Sequence, residues 1–207
     1  MNKIQIVEVG PRDGFQNLED YIPAEQKLKV IEDLIGAGVR HIQHTSFVSP
    51  KAIPQLKDAG EITKILLERY PDYDFFALVP NLYGARSAYE LGLRKVSYVI
   101  SLSASHNKAN INRTHDESFS ELKKILDTYK DLNVCVDVAT TFGCPFEGKY
   151  STDVVLKFLD RIAKMGIKEM SLADTIGVAN PKQVREIVTA AVNEFPEAEF
   201  RVHIHDT

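Results

Sequence analysis

The feature that most restricts this chain is a strict alternation, from one end to the other, of short apolar strand patterns with longer amphipathic helix patterns. Strand-like runs fall at residues 4–9, 39–43, 74–79, 95–102, 134–141, 168–173 and 199–205. Helical periodicity fills the gaps at 24–37, 59–68, 82–91, 117–129, 153–165 and 181–195. Such alternation implies a parallel sheet with right-handed crossovers. Glycines close several helical patterns, as in Gly36-Ala37-Gly38, Gly92 and Gly166. Asn180-Pro181 reads as an N-cap with proline in the first turn. Seven strands and six helices leave two architectures: a (β/α)8 barrel lacking its eighth strand, or an open doubly wound sheet. No linker or low-complexity tract interrupts the pattern, so a single α/β domain over residues 1–207 is expected.

Composition narrows the function classes. A formal charge of −4 without a basic stripe gives no attraction to nucleic acid or to an anionic membrane. No apolar run approaches the roughly 20 residues of a membrane span. The N-terminus passes from Met1-Asn2-Lys3 straight into a strand pattern, so no targeting peptide is expected. Only Cys135 and Cys144 are present. A disulfide framework is therefore not expected, and a cytoplasmic setting is.

The polar residues gather after the strands. Arg12, Asp13 and Gln16 follow the first; Gln43-His44-Thr45-Ser46 closes the second; Asn81 follows the third. Ser101, Ser103, Ser105, His106 and Asn107 follow the fourth, Thr140, Thr141 and Cys144 the fifth, and Asp174 and Thr175 the sixth. In a barrel these segments form the catalytic face, so the asymmetry points to an enzyme. His203 and His205 are two apart on the last strand and therefore share one face. A carboxylate from the end of the first strand would complete a divalent-metal site if the sheet curls to bring its ends together. Each group also has a plainer reading. Arg12-Asp13-Gly14 can be an ordinary turn, Asp174 and Asp206 can cap, Asn107 can be a loop polar, and Cys144 can be a packed turn residue.

A series of ordered motifs then resembles a known family. Val7-Glu8-Val9-Gly10-Pro11-Arg12-Asp13-Gly14-Phe15-Gln16-Asn17 resembles the opening motif of the 3-hydroxy-3-methylglutaryl-CoA lyases. Thr45-Ser46-Phe47-Val48-Ser49-Pro50-Lys51, Val79-Pro80-Asn81, Gly143-Cys144-Pro145-Phe146-Glu147-Gly148-Lys149 and Asp174-Thr175-Ile176-Gly177 resemble later ones in the same order. His203-Ile204-His205-Asp206-Thr207 resembles the metal-binding strand. The wider group is the metal-dependent lyase and synthase barrels with their pyruvate carboxyltransferase-like domain.

The resemblance implies an incomplete (β/α)8 barrel and a Mg²⁺ or Mn²⁺ ion held by Asp13, His203 and His205, with an asparagine further along. Arg12 would stabilise the enolate of a thioester, as a permanently charged guanidinium can. The candidate catalytic set is Arg12, Asp13, Gln43, Asp174 and His203; candidate substrate contacts on the same rim are Gln16, Asn81, Ser103, Asn107 and Thr175. The implied reaction is retro-Claisen cleavage of 3-hydroxy-3-methylglutaryl-CoA, or a related 3-hydroxyacyl-CoA, to acetyl-CoA and acetoacetate. A homo-oligomer is expected, with an acyl-CoA as its small-molecule partner. The rivals are a condensing synthase of the isopropylmalate or homocitrate type and an inactive ligand-binding fragment.

Three departures from the family pattern stand out. The asparagine ligand and the glycine-rich loop with its cysteine that the resemblance implies are expected to be absent from these 207 residues, and Cys144 is not expected to be that loop cysteine. Gln43 stands where the family has glutamate, and Ala173 where it has glycine. On the first of these the chain by itself is expected to be a poor catalyst, a marginal fold and prone to self-association through an open sheet edge.

Overall fold

The computed structural model describes residues 4–205. The expected cap at Asp206-Thr207 lies outside them. Seven parallel strands follow the order β1-β2-β3-β4-β5-β6-β7. They are β1 (Val7–Glu8), β2 (His41–Ser46), β3 (Asp74–Leu78), β4 (Lys95–Ser101), β5 (Asn133–Ala139), β6 (Glu169–Asp174) and β7 (Glu199–Ile204). The helices are α1 (Ala24–Gly36), α2 (Ala59–Arg69), α3 (Leu82–Glu90), α4 (Ala104–Ile111), α5 (His115–Thr128), α6 (Thr152–Ala163) and α7 (Pro181–Glu194). All seven expected strands and six expected helices are present, with ends displaced by a few residues. Sequence order in the sheet is the arrangement of a (β/α)8 barrel, whereas a doubly wound sheet reverses its order at a switch point.

One compact unit runs through Ser97 and takes in Tyr129–Asn133. Its sheet buries Ile42, Phe75, Phe76, Ala77 and Val96 beneath the apolar stripes of the helices: Leu28 and Ile31 from α1, Ile62 and Leu66 from α2, Ala85 and Ala88 from α3. A buried ion pair braces the helical layer. Lys27 Nζ donates to both oxygens of Asp58 at 2.9 Å and to the Gln55 carbonyl, and Tyr21 Oη donates to Asp58 Oδ2 at 3.0 Å.

Two local features of this unit departed from expectation. β1 is much shorter than residues 4–9, because Pro11 has no N–H for a ladder and the chain winds into a π-helical turn at Gly10–Gly14. There Arg12 and Asp13 both donate their N–H to the Val9 carbonyl, at 3.0 and 2.7 Å. Arg12-Asp13-Gly14 is thus no ordinary β-turn. β2 carries a bulge: Gln43 pairs with Phe76 and Thr45 with Ala77, so His44 is the extra residue.

The second unit comprises Tyr98–Thr128 and the chain from Val134 onward. Tyr98, Ile100, Val136, Val138, Met170 and Leu172 fill its sheet, under Leu122 and Ile125 of α5, Val155, Leu159 and Ile162 of α6, and Ile187 and Ala191 of α7. Helix α4 was not expected. Its sequence has no apolar stripe, and its ends hold it instead: Ser103 Oγ accepts from His106 N at 2.9 Å, and Asn112 closes it in the left-handed region at φ 52°. At α7 the expected cap is present, Asn180 Oδ1 accepting from Gln183 N at 3.0 Å.

Candidate functional site

In the first unit the π-helical turn delivers Arg12 and Asp13 to the carboxyl end of β1. Such turns recur at functional positions because they aim a side chain that regular structure would not. Arg12 is 8% exposed. Its Nε donates to Gln43 Oε1 at 2.5 Å and one terminal nitrogen donates to Asp13 Oδ1 at 2.6 Å. Gln16 Nε2 donates to the same Asp13 oxygen at 2.9 Å. Gln43, 1% exposed, passes the chain on by donating from Nε2 to Ser97 Oγ at 2.7 Å. The neutral amide therefore meets a cation with its oxygen and a hydroxyl with its nitrogen. Both ends of a buried polar group are satisfied where the resemblance places a carboxylate. Asn81 caps α3, its Oδ1 accepting from Gly84 N at 2.9 Å.

In the second unit the polar segments after β4, β5, β6 and β7 are joined by hydrogen bonds. Thr140 follows β5 with φ 59°, a rare conformation for a β-branched residue, and is fully buried. Its N–H donates to Thr175 Oγ1 at 2.8 Å, and its Oγ1 accepts from Ser103 N at 3.2 Å. The Thr175 carbonyl meets His205 Nδ1 at 3.0 Å. A carbonyl only accepts, so the proton sits on Nδ1 and Nε2 becomes the electron-pair donor of that ring. His203 and His205 lie edge to face, ring centres 4.7 Å apart, as the two-residue spacing on β7 requires.

Two sequence candidates have different work from that expected. Asn107 is fully buried: its Oδ1 accepts from Ser101 N at 3.0 Å, and its Nδ2 donates to the Arg113 carbonyl and Ser118 Oγ, each at 2.9 Å. It braces the start of α4 and α5 rather than facing a ligand. Asp174, 1% exposed, accepts from Val178 N at 2.9 Å and Ala179 N at 3.0 Å, so its carboxylate shapes the turn after β6. Cys144 sits in a small hairpin closed by paired backbone bonds with Gly148. Gly143 has no room for a side chain there, since a Cβ would stand 2.7 Å from Val178. Glu147 caps the neighbouring α4 from outside: its carboxylate accepts from Ser105 N at 2.8 Å and Tyr150 Oη at 2.7 Å, which holds its pKa down at about 2. Neither cysteine is in a disulfide, and both are buried.

Ser97 and Thr140 were not among the site candidates of the sequence. Ser97 looks like any small strand residue, and only its pairing with Gln43, 54 positions earlier, gives it a role. The candidate ligands divide between the units, Asp13 in the first and His203 and His205 in the second. No helix among the described residues is long and apolar enough to cross a membrane.

Comparison with known proteins supplies the context for this geometry. The HMGL-like family model matches residues 3–207. The chain is 39% identical over 207 residues to the hydroxymethylglutaryl-CoA lyase YngG of Bacillus subtilis, covering 99% of this chain and 69% of that one. The crystal structure of the Bacillus subtilis HMG-CoA lyase superposes with a TM-score of 0.91 at 38% identity, over 99% of this chain and 69% of that chain. An HMG-CoA lyase from Acinetobacter baumannii, in complex with coenzyme A and 3-methylmalate, superposes with a TM-score of 0.90 at 38% identity, over 99% and 68%. The chain spans about two thirds of the curated relatives it matches, 69% of one and 63% of another.

Proposed function

This chain belongs to the HMGL-like family, and on that premise we propose that it is a metal-dependent carbon–carbon lyase. Its substrate is a branched 3-hydroxyacyl-CoA, hydroxymethylglutaryl-CoA foremost, and its products are acetyl-CoA and acetoacetate. The observation that carries the reading is the imidazole pair of the second unit, ring centres 4.7 Å apart with the Nδ1 of His205 held by a backbone carbonyl; Asp13, held beside the buried Arg12 in the first unit, is the carboxylate that the family resemblance adds. Mixed oxygen and nitrogen donors suit Mg²⁺ or Mn²⁺. Such an ion would serve as a Lewis acid, polarising the substrate hydroxyl and a neighbouring oxygen.

The chain's own groups supply the rest. Cleavage sends the electron pair of the carbon–carbon bond onto the thioester, creating enolate charge that a proton at carbon later removes. Arg12 meets that charge. Two of its five N–H donors are spent on Gln43 and Asp13, which fix the plane of the guanidinium and aim the others. Its low exposure keeps water from screening the interaction. Gln43 and Ser97 position Arg12 and carry no charge into the reaction. Gln16 orients Asp13, and His203 and His205 complete the ligand set. Removal of the hydroxyl proton falls to a group of this rim. The oxygens of Asp174 are already engaged by two backbone N–H groups of the turn after β6. Ser103 and Thr175 belong to the post-strand rim of the second unit and Asn81 to that of the first, and two buried thiols outside any disulfide accord with a reducing, cytoplasmic setting.

Incubating the purified protein with hydroxymethylglutaryl-CoA and Mg²⁺ or Mn²⁺ tests the reading. Equimolar acetoacetate and acetyl-CoA support it. Condensation of acetyl-CoA with a 2-oxo acid, without cleavage, would assign the chain to the synthase branch instead. Sedimentation of the same sample tests the expected homo-oligomer.

A further inference from the structure

We propose that Thr140 is a positioning residue for the metal ligand His205, an inference that rests on the metal reading above. The residues concerned lie on four successive post-strand segments. Ser103 N donates to Thr140 Oγ1 at 3.2 Å, Thr140 N donates to Thr175 Oγ1 at 2.8 Å, and the Thr175 carbonyl receives His205 Nδ1 at 3.0 Å. Thr140 is the only member of this relay held in a strained backbone conformation, at φ 59° and without exposure. A β-branched residue does not rest there unless its surroundings over-determine it.

What holds it is visible. The Thr140 hydroxyl donates to its own Ala139 carbonyl at 2.6 Å while accepting from Ser103 N, so both functions of the hydroxyl are used. On either side the ladder continues normally: Leu102 N reaches the Ala139 carbonyl at 2.8 Å and Thr141 N reaches the Ala173 carbonyl at 3.1 Å. Only the Thr140 N–H leaves the ladder, and it reaches a side chain on the next post-strand segment. The strain thus has a use. It fixes the Thr175 hydroxyl, and with it the peptide whose carbonyl selects the His205 tautomer.

A histidine bound through Nε2 is commonly oriented by a hydrogen bond from Nδ1 to a carbonyl or carboxylate, and losing such an outer partner typically costs about 10–100-fold in metal affinity. Thr140 stands two bonds further out and acts on the carbonyl itself. In Thr140→Val the shape and the β-branch remain but the hydroxyl is gone. Ser103 N loses its acceptor, the rotamer is no longer pinned, and the residue can relax to negative φ and turn its N–H away from Thr175. Thr140→Ser keeps both hydrogen bonds.

The test pairs two readouts on wild type, Thr140→Val and Thr140→Ser. The first is Mn²⁺ affinity of the protein without substrate, followed by electron paramagnetic resonance of free Mn²⁺. The second is the ¹⁵N spectrum of the metal-free protein labelled in histidine, which reports the His205 tautomer whether or not the ion binds. The expected result is a weakening of Mn²⁺ binding by roughly tenfold or more in Thr140→Val, with loss of the pure Nδ1–H tautomer, and recovery of both in Thr140→Ser. If Thr140→Val lowers only thermal stability, with affinity and tautomer as in wild type, Thr140 is merely structural and the proposal is overturned. Should wild type bind no Mn²⁺, the metal reading fails on its own. The tautomer comparison still decides whether Thr140 controls His205.

Discussion

Replacing Gln43 with Leu removes one side chain and leaves two buried partners exposed to no solvent. The Arg12 Nε–H loses its acceptor at 2.5 Å and Ser97 Oγ loses its donor at 2.7 Å. A hydrogen bond to a charged group contributes about 1.5–3 kcal/mol and a neutral one about 1 kcal/mol. Leucine regains part of this through apolar burial, so a net loss of about 2–3 kcal/mol is expected. For a chain of this size that is a fall in Tm of roughly 5–10 °C. Gln43→Glu behaves differently. Its carboxylate keeps an acceptor for Arg12 and makes it charge-assisted, and the Ser97 hydroxyl can rotate to donate. The burial of a second charge offsets the gain, and the net change stays within about 1 kcal/mol. Thermal unfolding of the three proteins in parallel checks this. Equal melting temperatures for Gln43→Leu and Gln43→Glu would refute the idea that Gln43 serves as a two-ended orienting group.

Arg12→Lys should lower turnover on hydroxymethylglutaryl-CoA by about 10²–10³-fold, because an ammonium cannot hold Gln43 and Asp13 while facing an oxyanion. Mn²⁺ affinity should change little, and steady-state kinetics beside a binding titration separates the two. Lys27→Met leaves Asp58 as a buried carboxylate held only by Tyr21, and should destabilise by about 3–5 kcal/mol in denaturant unfolding; a change below 1 kcal/mol would contradict it. His44 gives an acid limb to stability. It is buried beneath α2, and Thr63 Oγ1, which donates to the Ala59 carbonyl, accepts from its Nε2 at 2.8 Å. Burial pushes its pKa down from 6.5 to about 4, so the folded state disfavours the imidazolium. Its contribution is complete above pH 6.5 and is lost as pH falls towards 4, on the order of 3 kcal/mol in all. A His44→Gln protein should show a flatter stability profile across that window.

What could be read beforehand was whatever lies within a few neighbouring residues. Strand-helix alternation, the Asn180-Pro181 start and the shared face of His203 and His205 all follow from local periodicity and capping, and all are in the structure. The plain reading of Asp174 as a helix cap is not met: its oxygens collect the N–H groups four and five residues on, in a turn, and Asn180 caps α7. What escaped is decided by partners far away in sequence. Gln43 looked like a lost charge until Arg12 and Ser97, 31 and 54 positions distant, gave its amide two partners. Thr140 sat among the polar residues after its strand without a signal, because its strained φ is imposed by Ser103 and Thr175 rather than by its neighbours. α4 has polar residues on every face and is held by its ends, so periodicity could not find it. Asn107, read as a candidate substrate contact with a loop polar as the plain alternative, lies buried inside that helix.

The central claim is that Asp13, His203 and His205 share one divalent ion, and equilibrium Mn²⁺ binding tests it most directly. Asp13→Asn, His203→Gln and His205→Gln should be compared with wild type, each first shown by circular dichroism to be folded. One ion per wild-type chain is expected, with affinity falling by at least about tenfold in every variant. One ion bound with unchanged affinity in all three variants would contradict it.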